Sequence, residues 1–174
     1  MKVIGLAGWS GAGKTTLLSR LVPLLISGGA RVSVVKHAHH NFDVDKPGKD
    51  SWVHREAGAT EVLISSSKRW ALMHELRGAD EPPLRELLGR MTNVDFIIIE
   101  GFKADSHPKI EVHRAANDKP LIFPGDPHVV AIATDADIKT SLPRCSLDDI
   151  HAVADMVKKF AAPIESILDR STAN

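Results

Sequence analysis

The sequence predicts an α/β domain with a doubly wound, mostly parallel sheet and a small β-hairpin extension. Short apolar stretches with the length of buried strands recur along the 174 residues, and segments with helical spacing alternate with them. The continuous apolar run Phe96–Ile99 is typical of a central parallel strand. In such sheets, ligands bind at the carboxyl ends of the strands.

The first half of the chain gives the elements in a regular order. Val3–Ala7 is predicted as a buried strand, and a helix is predicted from Lys14 to about Ser27, where Gly28 and Gly29 end it. A second strand is predicted over 31–36, followed by a long polar loop and a short helix around 52–57. Residues 60–65 and 69–75 are rich in β-formers and flank a short polar turn, which predicts a hairpin.

The second half continues the alternation. A helix is predicted over 83–88 and strands over 96–99, 110–113 and 129–133. The sequence Ser146–Asp149 reads as a capping box that opens the last helix. We expect one nucleotide-binding domain over 1–162, with the hairpin inserted near 60–75, and a frayed tail over 163–174.

Residues Gly8–Thr15 match the pattern G-x-x-x-x-G-K-[ST] of a phosphate-binding loop, or P-loop. The segment lies between a predicted strand and a predicted helix, as a P-loop requires, because the glycines let backbone N–H groups curl around a polyphosphate at a helix N-terminus. The sequence therefore predicts a P-loop NTPase fold. The residues expected at the nucleotide are Gly8, Ser10, Gly11, Ala12, Gly13, Lys14, Thr15 and Thr16.

Two residues are candidate Mg²⁺ ligands. The Thr15 hydroxyl follows the P-loop lysine, and Glu100 ends the apolar run Phe96–Ile99, the position from which P-loop proteins hold the ion. Gly101 would let the backbone approach the terminal phosphate. The alternative is that Glu100 is only a solvated acid after a core strand.

The segment Lys36–Ser51 carries three histidines and three aspartates. It allows three interpretations: a solvated loop, a transition-metal site for Zn or Ni, or a loop that senses nucleotide and partner. We favour the third, with Asp43, Asp45 or Asp50 near Mg²⁺. The spacing matches no closed structural metal site.

Composition excludes several classes of protein. The 22 basic and 22 acidic residues balance, so a nucleic-acid footprint is not expected. The single cysteine, Cys145, excludes an internal disulfide and any cysteine-based zinc site. We see no basic-then-apolar leader and no apolar run of about 20 residues, so we expect no membrane segment and a cytoplasmic protein.

Taken together, these segments resemble the MobB family, the molybdopterin-guanine dinucleotide biosynthesis adaptor proteins B. The resemblance runs from Val3 to about Phe160. It is carried by the P-loop, K-H-x-H-H, D-V-D-K-P-G-K-D-S, A-G-A at 57–59, R-W-A-L-M at 69–73 and I-I-E-G-F-K at 98–103.

The resemblance implies a function. It implies that the protein binds GTP with Mg²⁺, hydrolyses it slowly at best, and forms a homodimer whose strands share a sheet. It also implies an accessory role for MobA, the nucleotidyltransferase that joins GMP to molybdopterin, so that molybdopterin or its guanine dinucleotide is a further partner. Carried over by position, Gly11–Thr16 bind phosphate and Thr15 and Glu100 attend the metal, while Lys36–Ser51 lies at the phosphate end or faces the cofactor.

Guanine recognition is less clear, because the chain lacks the Asn-Lys-x-Asp tetrapeptide of ordinary GTPases. Asp135 follows the strand 129–133 closely. Its carboxylate could accept hydrogen bonds from N1–H and N2–H₂ of guanine, or it could simply form a turn. Guanine preference therefore rests mainly on the resemblance.

Two other classes of function stay open. A small-molecule kinase would need a lid, and Arg69, Arg77, Arg85 and Arg90 form no recognisable one. A GTP-dependent metallochaperone would use the segment from His37 to Asp45 as its metal site. No residue stands out as a water-positioning glutamine or an arginine finger, so we predict no catalytic residue and, at most, weak GTPase activity.

Overall fold

The computed structural model describes residues 1–38 and 42–169. Two compact units divide the chain: the first comprises Met1–His37 and the chain from Leu84 onward, and the second comprises Ala38–Pro83. The first unit contains strands β1 Lys2–Ala7, β2 Val32–Lys36, β5 Phe96–Glu100, β6 Lys109–His113, β7 Val129–Thr134, β8 Arg144–Ser146 and β9 Ala162–Pro163, and helices α1 Lys14–Ser27, α3 Leu84–Gly89, α4 Ile150–Phe160 and α5 Glu165–Leu168. The second unit contains α2 Asp50–Glu56, β3 Glu61–Ser65 and β4 Trp70–His74.

Seven strands form the sheet of the first unit. The order is β2-β5-β1-β6-β7-β8, all parallel, and β9 pairs antiparallel with the start of β1. In register, Lys36 of β2 lies opposite Glu100 of β5, and Leu6 of β1 lies opposite the same glutamate. The carboxyl ends of β2, β5 and β1 therefore meet at one edge, where the P-loop begins.

Helices cover both faces of this sheet, which confirms the doubly wound α/β prediction. One face packs against α1 and α4, with Ile4 and Leu6 of β1 and Leu21 of α1 completely buried. The other face packs against α3 and the residue before α5, where Val3, Leu88 and Ile164 are buried. Burying a leucine or isoleucine side chain stabilises a fold by about 1.5–3 kcal/mol, so these faces fix the strand that delivers the P-loop.

The predicted elements are confirmed to within about two residues, with two corrections. The last helix is capped by Asp149, whose carboxylate accepts a hydrogen bond from the Ala152 amide, whereas Ser146 belongs to β8. The expected fraying of the chain after Ala162 is wrong up to residue 169. That segment adds a strand to β1 and packs Ile164 into the core, since the apolar face of β1 and β5 would otherwise be left open.

The second unit is built around the hairpin β3–β4, in which Glu61 pairs with His74 and Ser65 with Trp70. The Arg77 guanidinium stabilises the unit by donating hydrogen bonds to the carbonyls of Arg55 and Ala59.

Among the helices of the described ranges, none has the length and apolar character needed to cross a membrane.

Candidate functional site

The P-loop follows β1 and precedes α1, as the sequence predicts. Gly13 caps α1 in the left-handed region, at φ 93°, which residues with a Cβ rarely adopt. At Gly8, a Cβ would lie 2.5 Å from the carbonyl oxygen of Val112 on β6. The neighbouring strand therefore requires glycine at position 8, and the turn into the helix requires it at position 13.

The side chains of the loop divide by exposure. Gly8 and Ala12 are buried and anchor the loop, while Ser10, Gly11, Thr15 and Thr16 are exposed at its outer side. Five of the eight residues predicted at the nucleotide thus lie in the loop before α1, and Lys14, Thr15 and Thr16 form the first turn of the helix. The N–H groups at the start of α1 have no partner within the helix, so they are available to bind a polyphosphate.

Lys14 folds back over the loop. Its ammonium donates hydrogen bonds to the carbonyl oxygens of Gly8, at 2.8 Å, and Trp9, at 3.0 Å. Burial lowers the pKa of Lys14 below its ordinary value; the Glu100 carboxylate opposes this shift, and the ammonium groups of Lys103 and Lys36 add to it. Three lysines therefore concentrate positive charge at this edge of the sheet, where a phosphate chain would lie.

Thr15 and Glu100 meet across the site. The Thr15 hydroxyl donates to a Glu100 carboxylate oxygen at 3.4 Å, although 85 positions separate the residues in sequence. Magnesium binds oxygen octahedrally at about 2.0–2.1 Å, so two adjacent ligands of one ion lie about 2.9 Å apart. The observed 3.4 Å is about half an ångström longer, which a small movement of either side chain closes, and both are hard oxygen donors. These two residues fit a shared Mg²⁺ ion.

The loop after β6 supplies two residues that the sequence analysis missed. The Asn117 side-chain amide donates to the Ser10 carbonyl at 2.9 Å. The Arg114 guanidinium approaches Gly13 closely, since a Cβ at that glycine would lie 3.5 Å from Nη2 of Arg114. The P-loop is thus flanked by a cation and an amide from the loop after β6, the strand beside β1. The sequence carried no motif for either residue; only the strand order brings them here.

Asp135 lies directly after β7, at the same edge of the sheet. One carboxylate oxygen accepts from the Ala115 amide at 2.7 Å, and the other pairs with Arg114 at 3.3 Å. The carboxylate therefore holds the start of the loop that flanks the P-loop. Its role in reading guanine stays a prediction.

The polar segment falls in the second unit from Ala38 onward, and His39, His40 and Asn41 lie outside the described residues. Arg55 pairs with Asp43 at 2.8 Å and with Glu75 at 3.3 Å, and Asp45 accepts from the Ser51 hydroxyl. Among residues 1–38 and 42–169, no three histidine, cysteine or acidic side chains group as metal ligands. Asp43 and Asp45 bond to partners in their own unit, and Asp50 begins α2. Their nearness to Mg²⁺ stays a prediction.

Two of the arginines considered for a kinase lid have structural partners. Arg77 donates to backbone carbonyls, and Arg90 pairs with Glu86 one helical turn away.

The strand order, the P-loop and the strand-end acid define the class of the protein as a P-loop NTPase fold.

The chain belongs to the MobB family. The family model described as "Molybdopterin guanine dinucleotide synthesis protein B" matches residues 3–135. The chain is 41% identical over 161 residues to the molybdopterin-guanine dinucleotide biosynthesis adapter protein of Escherichia coli K12, covering 91% of this chain and 92% of the relative. The protein of that name from Haemophilus influenzae is 40% identical over 161 residues, with 91% and 88% covered.

Solved structures share the fold. A crystal structure of molybdopterin-guanine biosynthesis protein B superposes with a TM-score of 0.72 at 24% identity, covering 90% of this chain and 98% of the other. The crystal structure of Bacillus subtilis MobB gives a TM-score of 0.71 at 21% identity, with 92% and 98% covered. The predicted family and fold class are thereby confirmed.

Proposed function

We propose that the protein binds GTP and Mg²⁺ at the P-loop and acts as an adaptor in the synthesis of molybdopterin-guanine dinucleotide. Membership of the MobB family supports the pathway. The observation that carries the nucleotide site is the meeting of Lys14, Thr15 and Glu100 at one edge of the sheet. We propose a cytoplasmic location for this activity.

Each of these residues has a role in the proposal. Lys14 exchanges its bonds to the loop carbonyls for bonds to the β- and γ-phosphates, which are stronger because both partners are charged. Thr15 and Glu100 hold Mg²⁺, which neutralises phosphate charge when bound. Asp135 reads the guanine edge in this proposal, with Arg114 beside it.

Hydrolysis is slow in this proposal. Fast GTP hydrolysis needs an oriented water and extra positive charge on the transition state, together often worth 10³–10⁵ in rate. The chain contains no glutamine, the residue that commonly orients the water. We therefore assign the protein a binding role, with weak Mg²⁺-dependent GTPase activity at most.

The proposed partners are a MobA-type nucleotidyltransferase, molybdopterin or its guanine dinucleotide, and a second copy of this chain. The hairpin β3–β4 supports the homodimer, because Leu63 is 62% exposed and Trp70 67% exposed. Apolar side chains this exposed on adjacent strands favour association. Sedimentation of wild type against Trp70→Glu tests the dimer: a wild-type monomer at micromolar concentration contradicts it.

A reconstituted synthesis tests the function itself. Molybdopterin, Mg²⁺–GTP and the nucleotidyltransferase are combined with and without this protein, and guanine dinucleotide formation is followed. We expect the wild type to raise the yield and Lys14→Ala to raise it less, because the adaptor would act in its nucleotide-bound form. Lys139→Ala, which removes an exposed lysine far from the P-loop in sequence, serves as the control. An unchanged yield with wild type contradicts the adaptor proposal.

A further inference from the structure

A pocket of about 490 Å³ opens beside the P-loop within the first unit. Sites for small molecules commonly measure about 300–1,000 Å³, so its size suits a compound with one or two fused rings. The residues that line it are Trp9, Lys103, Ala104, Ile122, Gly125, Asp126, Pro127 and His128. None of the residues proposed at the nucleotide lines it.

The walls of the pocket are held from inside by two charged residues of β6. Lys109 is 1% exposed, and its ammonium donates to the carbonyls of Lys103 and Asp105 and to the Asp126 carboxylate. Glu111 is equally buried and accepts from the amides of Ile122 and Phe123. Burying charge is costly unless it is fully paired, so the two loops are fixed by dedicated anchors.

The aromatic surface of the pocket comes from the P-loop itself. The Trp9 indole N–H donates to the Pro120 carbonyl at 2.7 Å, which sets the orientation of the ring. Trp9 is 39% exposed, so part of the indole is accessible to a ligand. An oriented indole stacks on planar rings of many kinds.

The uncompensated charge at the pocket is positive. Both oxygens of Asp126 are engaged, one by Lys109 and one by the His128 amide. The Lys103 ammonium lies over the Trp9 ring, 4.8 Å from its centre, and the ion pairs among the described residues do not include Lys103. Lys103 also acts electrostatically on Lys14, so the pocket adjoins the end of the site where the terminal phosphate would lie.

We propose that this pocket is a second ligand site, which takes a planar fused-ring compound with an anionic group beside the nucleotide. The ring stacks on Trp9, and the anionic group pairs with Lys103. This inference rests on the proposed function, in which the P-loop holds GTP. It places a second reactant next to the nucleotide and gives the adaptor a means of holding both.

Pterin-6-carboxylate, a fluorescent fused-ring anion, serves as the test compound, with uncharged pterin for comparison. Quenching of its fluorescence is titrated with Mg²⁺–GTP present and absent. We expect saturable binding by wild type. Trp9→Leu should weaken it about fivefold to more than a hundredfold, which is the contribution of stacking on one aromatic side chain. Ala104→Phe should weaken it at least fivefold, because the added ring fills the pocket.

Substitution of Lys103 tests recognition of the anionic group separately from stacking on Trp9. Lys103→Ala should weaken binding of pterin-6-carboxylate by up to about fivefold, as a solvent-accessible ion pair implies, and leave pterin binding unchanged. Lys139→Ala and Ala79→Phe change an exposed lysine and an exposed alanine outside the pocket and should bind like wild type. If a pocket variant and its matched control lose the same affinity for pterin-6-carboxylate, the assignment of the pocket as a ligand site is overturned.

Calorimetry with GTP keeps this proposal distinct from the proposed function. Ala104→Phe should bind GTP like wild type while losing the pterin. If the variant loses GTP affinity, the pocket holds part of the nucleotide and the second site is overturned. It is also overturned if wild type binds GTP yet shows no saturable pterin-6-carboxylate binding up to about 1 mM. Absence of GTP binding by wild type contradicts the proposed function instead.

Discussion

The Arg114 guanidinium and the Asp135 carboxylate pair at 3.3 Å across the ends of β6 and β7. The same carboxylate accepts from the Ala115 amide, and Arg114 reaches Gly13 of the P-loop. Asp135 is therefore connected to the phosphate-binding loop through a cation. Asp135 can affect nucleotide binding in two ways, by contacting the base directly or by positioning Arg114. Substitutions can distinguish the two.

If Asp135 reads guanine, Asp135→Ala should lower GTP affinity and leave ATP affinity nearly unchanged. Guanine offers N1–H and N2–H₂ donors, whereas adenine has an acceptor at N1 that would set a lone pair against the carboxylate, at a cost of about 1–3 kcal/mol. The wild type should accordingly prefer GTP over ATP by roughly tenfold to a few hundredfold. Calorimetry with both nucleotides measures the preference.

Arg114→Ala is the matched variant for this prediction, since it breaks the ion pair and keeps the carboxylate. It should weaken GTP and ATP alike if Arg114 contacts only parts that both nucleotides share. If Asp135→Ala also weakens both together, the carboxylate acts through Arg114 and not on the base. If neither nucleotide is affected, the base is read elsewhere.

Lys14→Ala should weaken binding of nucleoside triphosphates about tenfold to more than a hundredfold. A charge-assisted hydrogen bond to phosphate contributes about 1.5–3 kcal/mol, and the half-buried ammonium is already placed over the loop. Calorimetry measures the affinity, and thermal unfolding checks that the fold is kept. Lys139→Ala should behave as wild type; equal affinities of Lys14→Ala and wild type would refute the P-loop assignment.

Glu100→Gln should depress Mg²⁺-dependent hydrolysis while sparing most nucleotide binding. The amide keeps the shape of the side chain but loses the negative charge that a hard divalent cation needs. Hydrolysis is followed across a magnesium titration, with Glu165→Gln, an exposed acid on α5, as control. A titration curve that matches wild type would show that Glu100 is only a surface acid.

Intrinsic turnover of GTP should be near the ~10⁻⁴–10⁻² s⁻¹ of unassisted GTPases. Lys14 and Mg²⁺ can position and polarise the γ-phosphate, but the chain has no glutamine to orient the water. A single-turnover assay gives the rate directly. Rates of several per second would overturn the adaptor proposal and favour an enzyme with its own catalytic group.

His107 should make the protein less stable as pH falls from about 6.5 to 4. The imidazole is 1% exposed, and neither ring nitrogen has a hydrogen-bond partner among the described residues. Burial lowers the pKa of His107 from 6.5 to about 4; Lys109 and His128 add to the shift, while Asp126 opposes it. The unfolded chain binds more protons than the folded chain in this window, so up to about 3 kcal/mol of stability is lost as pH drops.

Urea unfolding at several pH values between 7 and 4.5 measures this dependence. His107→Leu should flatten it, because the leucine does not titrate, and His151→Ala, at an exposed position on α4, should keep the wild-type slope. The window lies above the ordinary pKa of aspartate, which limits the contribution of the acidic residues. A slope in His107→Leu equal to that of wild type would contradict the assignment to this histidine.

Local patterns in the sequence were sufficient for the layered fold and for the P-loop. Residues 8–15 form a contiguous motif, and the apolar runs of β1, β5 and β7 have the composition of buried strands. The sequence also singled out Thr15 and Glu100 as candidate ligands of one ion, and the structure brings the two side chains together. These features depend on neighbours in sequence or on a known rule of sheet topology.

The flanking residues depended on strand order and were not predictable in this way. Arg114 and Asn117 reach the P-loop because β6 lies beside β1, and no motif marks β6 as that neighbour. Lys109 and Glu111 look like solvated charges in an alternating strand, yet both are buried, because loops from elsewhere in the chain supply their partners. Such pairings are set by tertiary structure, which overrides local polarity.

The pairing of β9 with β1 has a consequence for the order of folding. The Ile164 amide donates to the Met1 carbonyl, and Val3 pairs with Ala162, so β1 is completed by a segment far along the chain. Its other partners, β5 and β6, also follow it at a long distance in sequence. During synthesis, β1 leaves the ribosome before its partner strands and stays unpaired, with its apolar residues exposed. Contacts this distant in sequence slow folding and make the nascent chain dependent on protection from aggregation.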